Sequence, residues 1–319
     1  MWRSVRPVVI AIALAGLVAA CGSNDDDART ESTERQEDES SETRAPKGDP
    51  RGEESDETAS PVDETDGEAD TGATGTDVPA DQPPLVVDGI LVYDYEITVI
   101  NLTQGQPLSP PVLATHRADV EVWKLASPAG NGVIQIAENG NPGPLIAELT
   151  ERRAAGELTD VRAGAAPLVP PGSPGATALG SGPCAAGCAD RVTLRLYAPA
   201  DDPRLSWVSM VVCTNDGFTG DSGIELPTTI GEETVIEARA YETSTEMNTE
   251  NLADIMPPCQ GLIGVLSPSG APGIAESNPA LAETGNIIPH RGVIGGVELD
   301  PAVHGWAEPV SKIIVTRVG

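Results

Sequence analysis

The chain has 319 residues, of which 49 are acidic and 19 basic, for a net charge of −30. That balance excludes nucleic acid as a partner, because phosphate recognition rests on basic patches that release counterions, and it disfavours anionic lipid headgroups for the same reason. Aromatic residues are sparse at 3 %, and five cysteines are present.

The first twenty residues carry Arg3 and Arg6, an apolar run from Val8 to Ala20, and Leu17-Val18-Ala19-Ala20 directly before Cys21. This is the order of an export signal, and its ending resembles the lipobox of bacterial lipoproteins. The resemblance implies that residues 1–20 are a signal peptide removed by cleavage, that the Cys21 thiol is diacylated, and that the protein is held to a membrane on its extracytoplasmic side by lipid. The apolar run is shorter than the ~20 residues that cross a bilayer.

Residues 21–87 form the lipidated cysteine and an acidic linker. From Gly22 to Pro84 the chain is a mixture of Asp, Glu, Ser, Thr, Gly and Pro with no aromatic residue. Such a segment buries too little apolar surface to offset its ordering entropy and is predicted to be disordered. Its root-mean-square span is roughly 45 Å, extended further by self-repelling acids, so it reads as a spacer between lipid and domain.

Residues 88–319 are expected to form one domain of the all-β class, a β-sandwich with long loops and one short helix. Alternation marks the strands. Tyr93, Tyr95, Ile97 and Val99 share one face while Asp94, Glu96 and Thr98 share the other. The helix is expected over Pro144–Ala155, where Leu145, Ile146 and Leu149 lie on one side, Glu148 is placed to meet Arg152, and Gly156 offers a stop. Val192, Leu194 and Leu196 alternate with Arg191, Thr193 and Arg195; the run from Leu205 to Val212 is apolar on both faces, as in a central strand; Ile236, Ala238 and Ala240 alternate with Glu237 and Arg239; and Ile313–Val318 closes the chain. Stretches 163–183 and 266–310, rich in Pro, Gly and Ala, read as surface loops.

With Cys21 acylated, Cys184, Cys188, Cys213 and Cys259 remain, an even number in an exported chain, so two disulfides are expected. The favoured pairing joins Cys184 to Cys188, within one Pro/Gly-rich loop, and Cys213 to Cys259. The spacings lack the paired C-x-x-C knuckles of structural zinc.

Two acidic segments follow two of the strands. VVCTNDGFTGD carries Asn215, Asp216 and Asp221; AYETSTEMNTE carries Glu242, Glu246, Asn248 and Glu250. Hard cations such as calcium take six to eight oxygen ligands, which two loops at one sandwich end can supply. N-D-G is equally a turn signal, and no EF-hand pattern is present.

At these residues the chain resembles the spondin N-terminal domain family. The matching pieces are ATHRADVEVWKLASPAGNGVIQIAENG from Ala114, WVSMVVCTNDGFTGDSGIELP from Trp207, AYETSTEMNTE from Ala240, and the closing SKIIVTRV. The resemblance implies a sandwich related to calcium-dependent membrane-docking domains, an extracellular adhesion or matrix-binding role as in the family's animal members, and a metal site for calcium at Asp216 in the first loop and Glu242 and Glu246 in the second. The animal pattern has Asp at both second-loop positions, and glutamate is one methylene longer. The expected partner is an extracytoplasmic protein or glycan.

One segment points toward catalysis instead. Gly220-Asp221-Ser222-Gly223 spells the motif around the nucleophile of chymotrypsin-like serine proteases, with His116 upstream in the right order. Ile224 and Glu225 follow where that family has Gly and Pro, nearly a hundred residues trail Ser222, and no orienting Asp stands out, so a serine hydrolase is the alternative and a non-enzymatic binding module the expectation. His116, His290 and His304 lie in distant segments without metal-ligand spacing. Trp306 and Tyr241 are the aromatic residues that could stack on a sugar, but large aromatics in a sandwich more often pack in the core, which is the expectation here.

Overall fold

A computed structural model describes residues 82–176, 184 and 187–319; the expected signal peptide, Cys21 and the linker through residue 81 lie outside them. The architecture is a sandwich of two antiparallel sheets with a few short helices. One sheet holds β1 (Leu85–Val87), β2 (Ile90–Asn101), β5 (Arg191–Pro199), β8 (Glu233–Ala238) and β11 (Ser311–Arg317), in the order β1-β2-β11-β8 with β5 also on β2. The other holds β3 (Val112–His116), β4 (Leu158–Ala163), β6 (Arg204–Met210), β7 (Gly217–Glu225), β9 (Ala240–Glu242) and β10 (Ile288–Pro289), in the order β10-β9-β7-β6-β3-β4.

The alternation of β2 explains the first sheet. Ile97 pairs with Val315 and Leu194, and Val99 with Ile313 and Val192, which lines up the apolar faces of three strands. Those faces close on Leu113, Leu205 and Trp207 of the second sheet to make the core between the sheets. The opposite face of the second sheet is also covered. Helices α1 (Asn131–Asn139) and α2 (Gly143–Ala154) place Val133, Ile136, Leu145 and Leu149 against Val112, Val208, Met210 and Phe218. β6 lies inside this doubly covered sheet, and that is why its sequence is apolar on both sides.

The helix expected from Pro144 is α2, with Pro144 in its first turn, but Arg152 bonds Glu157 beyond the helix end at 2.8 Å and not Glu148. α1 stands where no helix was expected. Two further short helices, α3 (Pro258–Ile263) and α4 (Pro301–His304), interrupt the later loops. Both favoured disulfides are present: Cys184–Cys188 and Cys213–Cys259 have S–S distances of 2.03 and 2.05 Å.

Polar anchors hold the strand ends. Buried Asp94 takes three contacts from Arg195, at 2.5 to 3.0 Å, and Arg317 lies over the Tyr93 ring, 3.6 Å from its centre.

The glycine that opens the protease-like motif has a packing reason. A Cβ on Gly220 would stand 2.2 Å from the Trp207 carbonyl oxygen of the neighbouring strand. Gly220→Ala is therefore expected to destabilise the domain by about 1–3 kcal/mol, the usual range for overpacking. Urea unfolding checks this; an unchanged midpoint would mean that β6 and β7 separate freely at this point.

Candidate functional site

The register of β7 on β9 assembles the acidic end of the sandwich. Gly217 pairs with Glu242, so the residue before one strand meets the residues after the other, and Thr243 N–H donates to the Asp216 carbonyl at 3.2 Å. Asp216 is fully buried. Its Oδ2 accepts from Thr245 N–H at 2.8 Å, Thr243 Oγ1 at 3.1 Å and Glu246 N–H at 3.3 Å. Ser244, at φ 55°, turns the chain between these donors.

The three acids expected from sequence lie on these two adjoining loops, and each has one carboxylate oxygen in a hydrogen bond and one without. Asp216 Oδ1 is buried without a partner. Glu242 Oε2 accepts from Asn248 Nδ2 at 2.5 Å, and Glu246 Oε1 accepts from Asn278 N–H at 2.5 Å; the second oxygen of neither takes a hydrogen bond from the described residues. Burial pushes the Asp216 carboxyl up to about 6, opposed by the N–H groups of Thr245 and Glu246. It pushes Glu246 up to about 7, with Glu138 and Asp216 adding repulsion.

Glu138, from α1, was not anticipated. It is buried, and its Oε1 accepts from Thr245 Oγ1 at 2.6 Å, while Thr245 Oγ1 stands 2.6 Å from Thr243 Oγ1. Two threonines thus join Glu138 to Asp216 through three contacts that share only two hydroxyl protons.

The remaining loop residues serve the backbone. Asn215 Oδ1 accepts from Thr249 N–H at 3.1 Å, and Glu250 accepts from Ile294 and Gly295 N–H at 2.7 and 2.6 Å. Asp221 sits far along β7, where its Oδ1 accepts from Ser222 N–H at 2.8 Å. Among the described residues no group of three or more His, Cys, Asp or Glu side chains is already arranged to hold a metal ion.

His290 borders the acids. Gly292 N–H donates to its Nδ1 at 2.9 Å, so the neutral ring carries its proton on Nε2, which is buried without a hydrogen-bond partner 3.8 Å from Glu242 Oε2. Burial, with Arg291 nearby, lowers its pKa to about 4. His304 instead accepts from Asp300 N–H at 3.0 Å, and His116 contacts Ser206; the three histidines make separate contacts. Tyr241 is packed with Trp123 and Phe218 at 5.1 and 5.6 Å between ring centres, and Trp306 packs on His290 at 5.2 Å.

No family model and no curated protein matches the chain.

Proposed function

We propose that this is a cell-surface lipoprotein whose spondin-type sandwich binds calcium at Asp216, Glu242 and Glu246 and acts as an extracytoplasmic binding or adhesion module for a protein or glycan. The observation that carries the reading is the buried Asp216 Oδ1 without a partner. An acceptor in that state costs about 1–3 kcal/mol, and a hard cation is the class of ligand that three carboxylate oxygens suit. Bound there, calcium would offset two of the three negative charges and tie the first loop to the second. The surroundings agree with this: backbone N–H groups and Asn248 hold one carboxylate oxygen of each residue, leaving the other without a hydrogen bond from the described residues. The lipid anchor rests on the sequence before Cys21; no helix among the described residues is long and apolar enough to cross a membrane.

Calorimetric titration of calcium into the chelator-treated full chain tests the site. Saturable binding at or below about millimolar calcium is expected in the wild type and none in the Asp216→Asn, Glu242→Gln, Glu246→Gln triple variant. Absence of heat in a folded wild type would leave a metal-free structural sandwich with acidic loops.

A further inference from the structure

The protease-like motif lies on a bulge. Leu205 pairs with Ile224 and Trp207 with Asp221, so Ser206 alone faces both Ser222 and Gly223. Gly223 adopts φ 74°, a conformation open to glycine, and its N–H donates to Ser206 Oγ at 3.0 Å. The Ser206 hydroxyl thereby stands between Ser222 Oγ at 3.3 Å and His116 Nε2 at 2.7 Å.

One carbonyl fixes every proton in this line. His116 Nδ1 is 2.7 Å from the Arg117 carbonyl oxygen, which only accepts, so Nδ1 carries the ring proton. Burial lowers the His116 pKa, and the neutral ring leaves Nε2 as an acceptor. Ser206 has one proton and gives it to Nε2. The contact between the two serines is then made by the Ser222 proton. Donation runs one way, from Ser222 through Ser206 and His116 to a backbone carbonyl, and leaves the Ser222 lone pairs free of donors.

We propose that Ser222 is an activated nucleophile that captures acyl- and phosphonyl-type electrophiles, with Ser206 as relay and His116 as base, each acting through Ser222. Exposure favours this division of roles: Ser222 is partly open to solvent, whereas Ser206 and His116 are buried. Toward a fluorophosphonate, the Ser222 Oγ–P bond forms as the P–F bond breaks and fluoride leaves. The Ser222 proton passes to Ser206, and the Ser206 proton to His116 Nε2. Both N–H groups beside Ser222 are committed, one to Asp221 Oδ1 and one to Ser206, so no pair of donors awaits an oxyanion. The chemistry assigned is a single covalent capture and not rapid turnover. It is independent of the cation site, which lies roughly 20 Å away along β7 by strand rise.

The test is incubation of the full chain with a fluorophosphonate, followed by peptide mapping. Label is expected on Ser222, falling roughly 100-fold in Ser206→Ala and His116→Gln, the lower end of general-base contributions, and retained in Ser206→Thr, which keeps the hydroxyl. The wild-type rate should fall in acid as His116 takes a proton, against Arg152 and with Asp119 and Asp202 as the other charges acting on it; His116→Gln should remove that dependence. Melting curves identify which variants are folded. An unlabelled Ser222 in the folded wild type overturns the proposal, as does a folded His116→Gln variant with the wild-type rate and pH profile.

Discussion

Replacing Cys213 and Cys259 together by alanine is expected to cost about 4 kcal/mol of folding stability and to weaken calcium binding roughly tenfold. The bridge closes 46 residues, and the chain-entropy model gives about 4 kcal/mol for a loop of that length. At ~2–4 °C per kcal/mol for a domain of this size, the melting temperature should drop by roughly 8–16 °C. Alanine is the right replacement because both sulfurs sit in the core beside Phe218 and Leu252, where a serine hydroxyl would be stranded. The affinity loss follows from position: Cys213 begins the first acidic loop, and Cys259 lies on α3 just after the second. Opening Cys184–Cys188, which spans only 4 residues, should lower stability by about 2 kcal/mol in the same model and leave calcium binding unchanged. Melting curves and calorimetry on both pairs make the comparison, and equal effects on calcium would show that neither bridge shapes the loops.

The second large effect is a dependence of stability on pH that calcium reverses. Asp216 and Glu246 are held at about 6 and about 7 in the fold, above the ordinary carboxylate values near ~4. A group with a raised folded pKa binds more protons folded than unfolded. Its stabilisation is full below about pH 4 and is lost as pH rises through about 6 to 7. Moving the Asp216 carboxyl from 3.8 to about 6 corresponds to about 3 kcal/mol, or roughly 6–12 °C in melting temperature. Calcium-free protein should therefore melt progressively lower from about pH 4 to pH 7.5. On the proposed reading calcium binds the ionised carboxylates of the folded state alone, so saturating ion should restore most stability at the upper end of that window. In Asp216→Asn with Glu246→Gln both the slope and its reversal should disappear; a wild-type slope surviving in that variant would place its origin elsewhere in this acidic chain.

The strands were legible because period-two alternation is a local signal. Tyr93–Val99 and Ile313–Val318 each contain one clean face, and pairing only had to align them. The doubly apolar Leu205–Val212 gave away a central strand without saying what covered its second face. That cover is α1, hidden because Asn131-Gly132 is a turn signal and because its stripe of Val133, Ile136 and Ala137 spans little more than one turn. With α1 unread, Glu138 had no route to the acidic cluster. The two acidic segments were visible because they follow strands, while the choice of Asp216, Glu242 and Glu246 within them came from the family resemblance alone. Ser206 was invisible for a different reason: in sequence it is one polar residue in an apolar strand, and only the bulge opposite it sets its hydroxyl between His116 and Ser222.

β2 enters the domain beside β1 and ends at Asn101, whose side chain donates to the Gln106 carbonyl, while Gln106 Oε1 accepts from Cys213 N–H. Leu85 thus enters the sheet opposite Val92, and the candidate cation loops lie past the Asn101 end of β2, about 30 Å away by strand rise. A ligand gripped at those loops while the chain is pulled from Leu85 loads β2 along its length. β1 would peel one hydrogen bond at a time, but β2 is clamped on both sides, to β5 over Val92–Ile100 and to β11 over Tyr95–Asn101. There the bonds share the force in parallel, as shear, and β2 becomes the tension member of the domain.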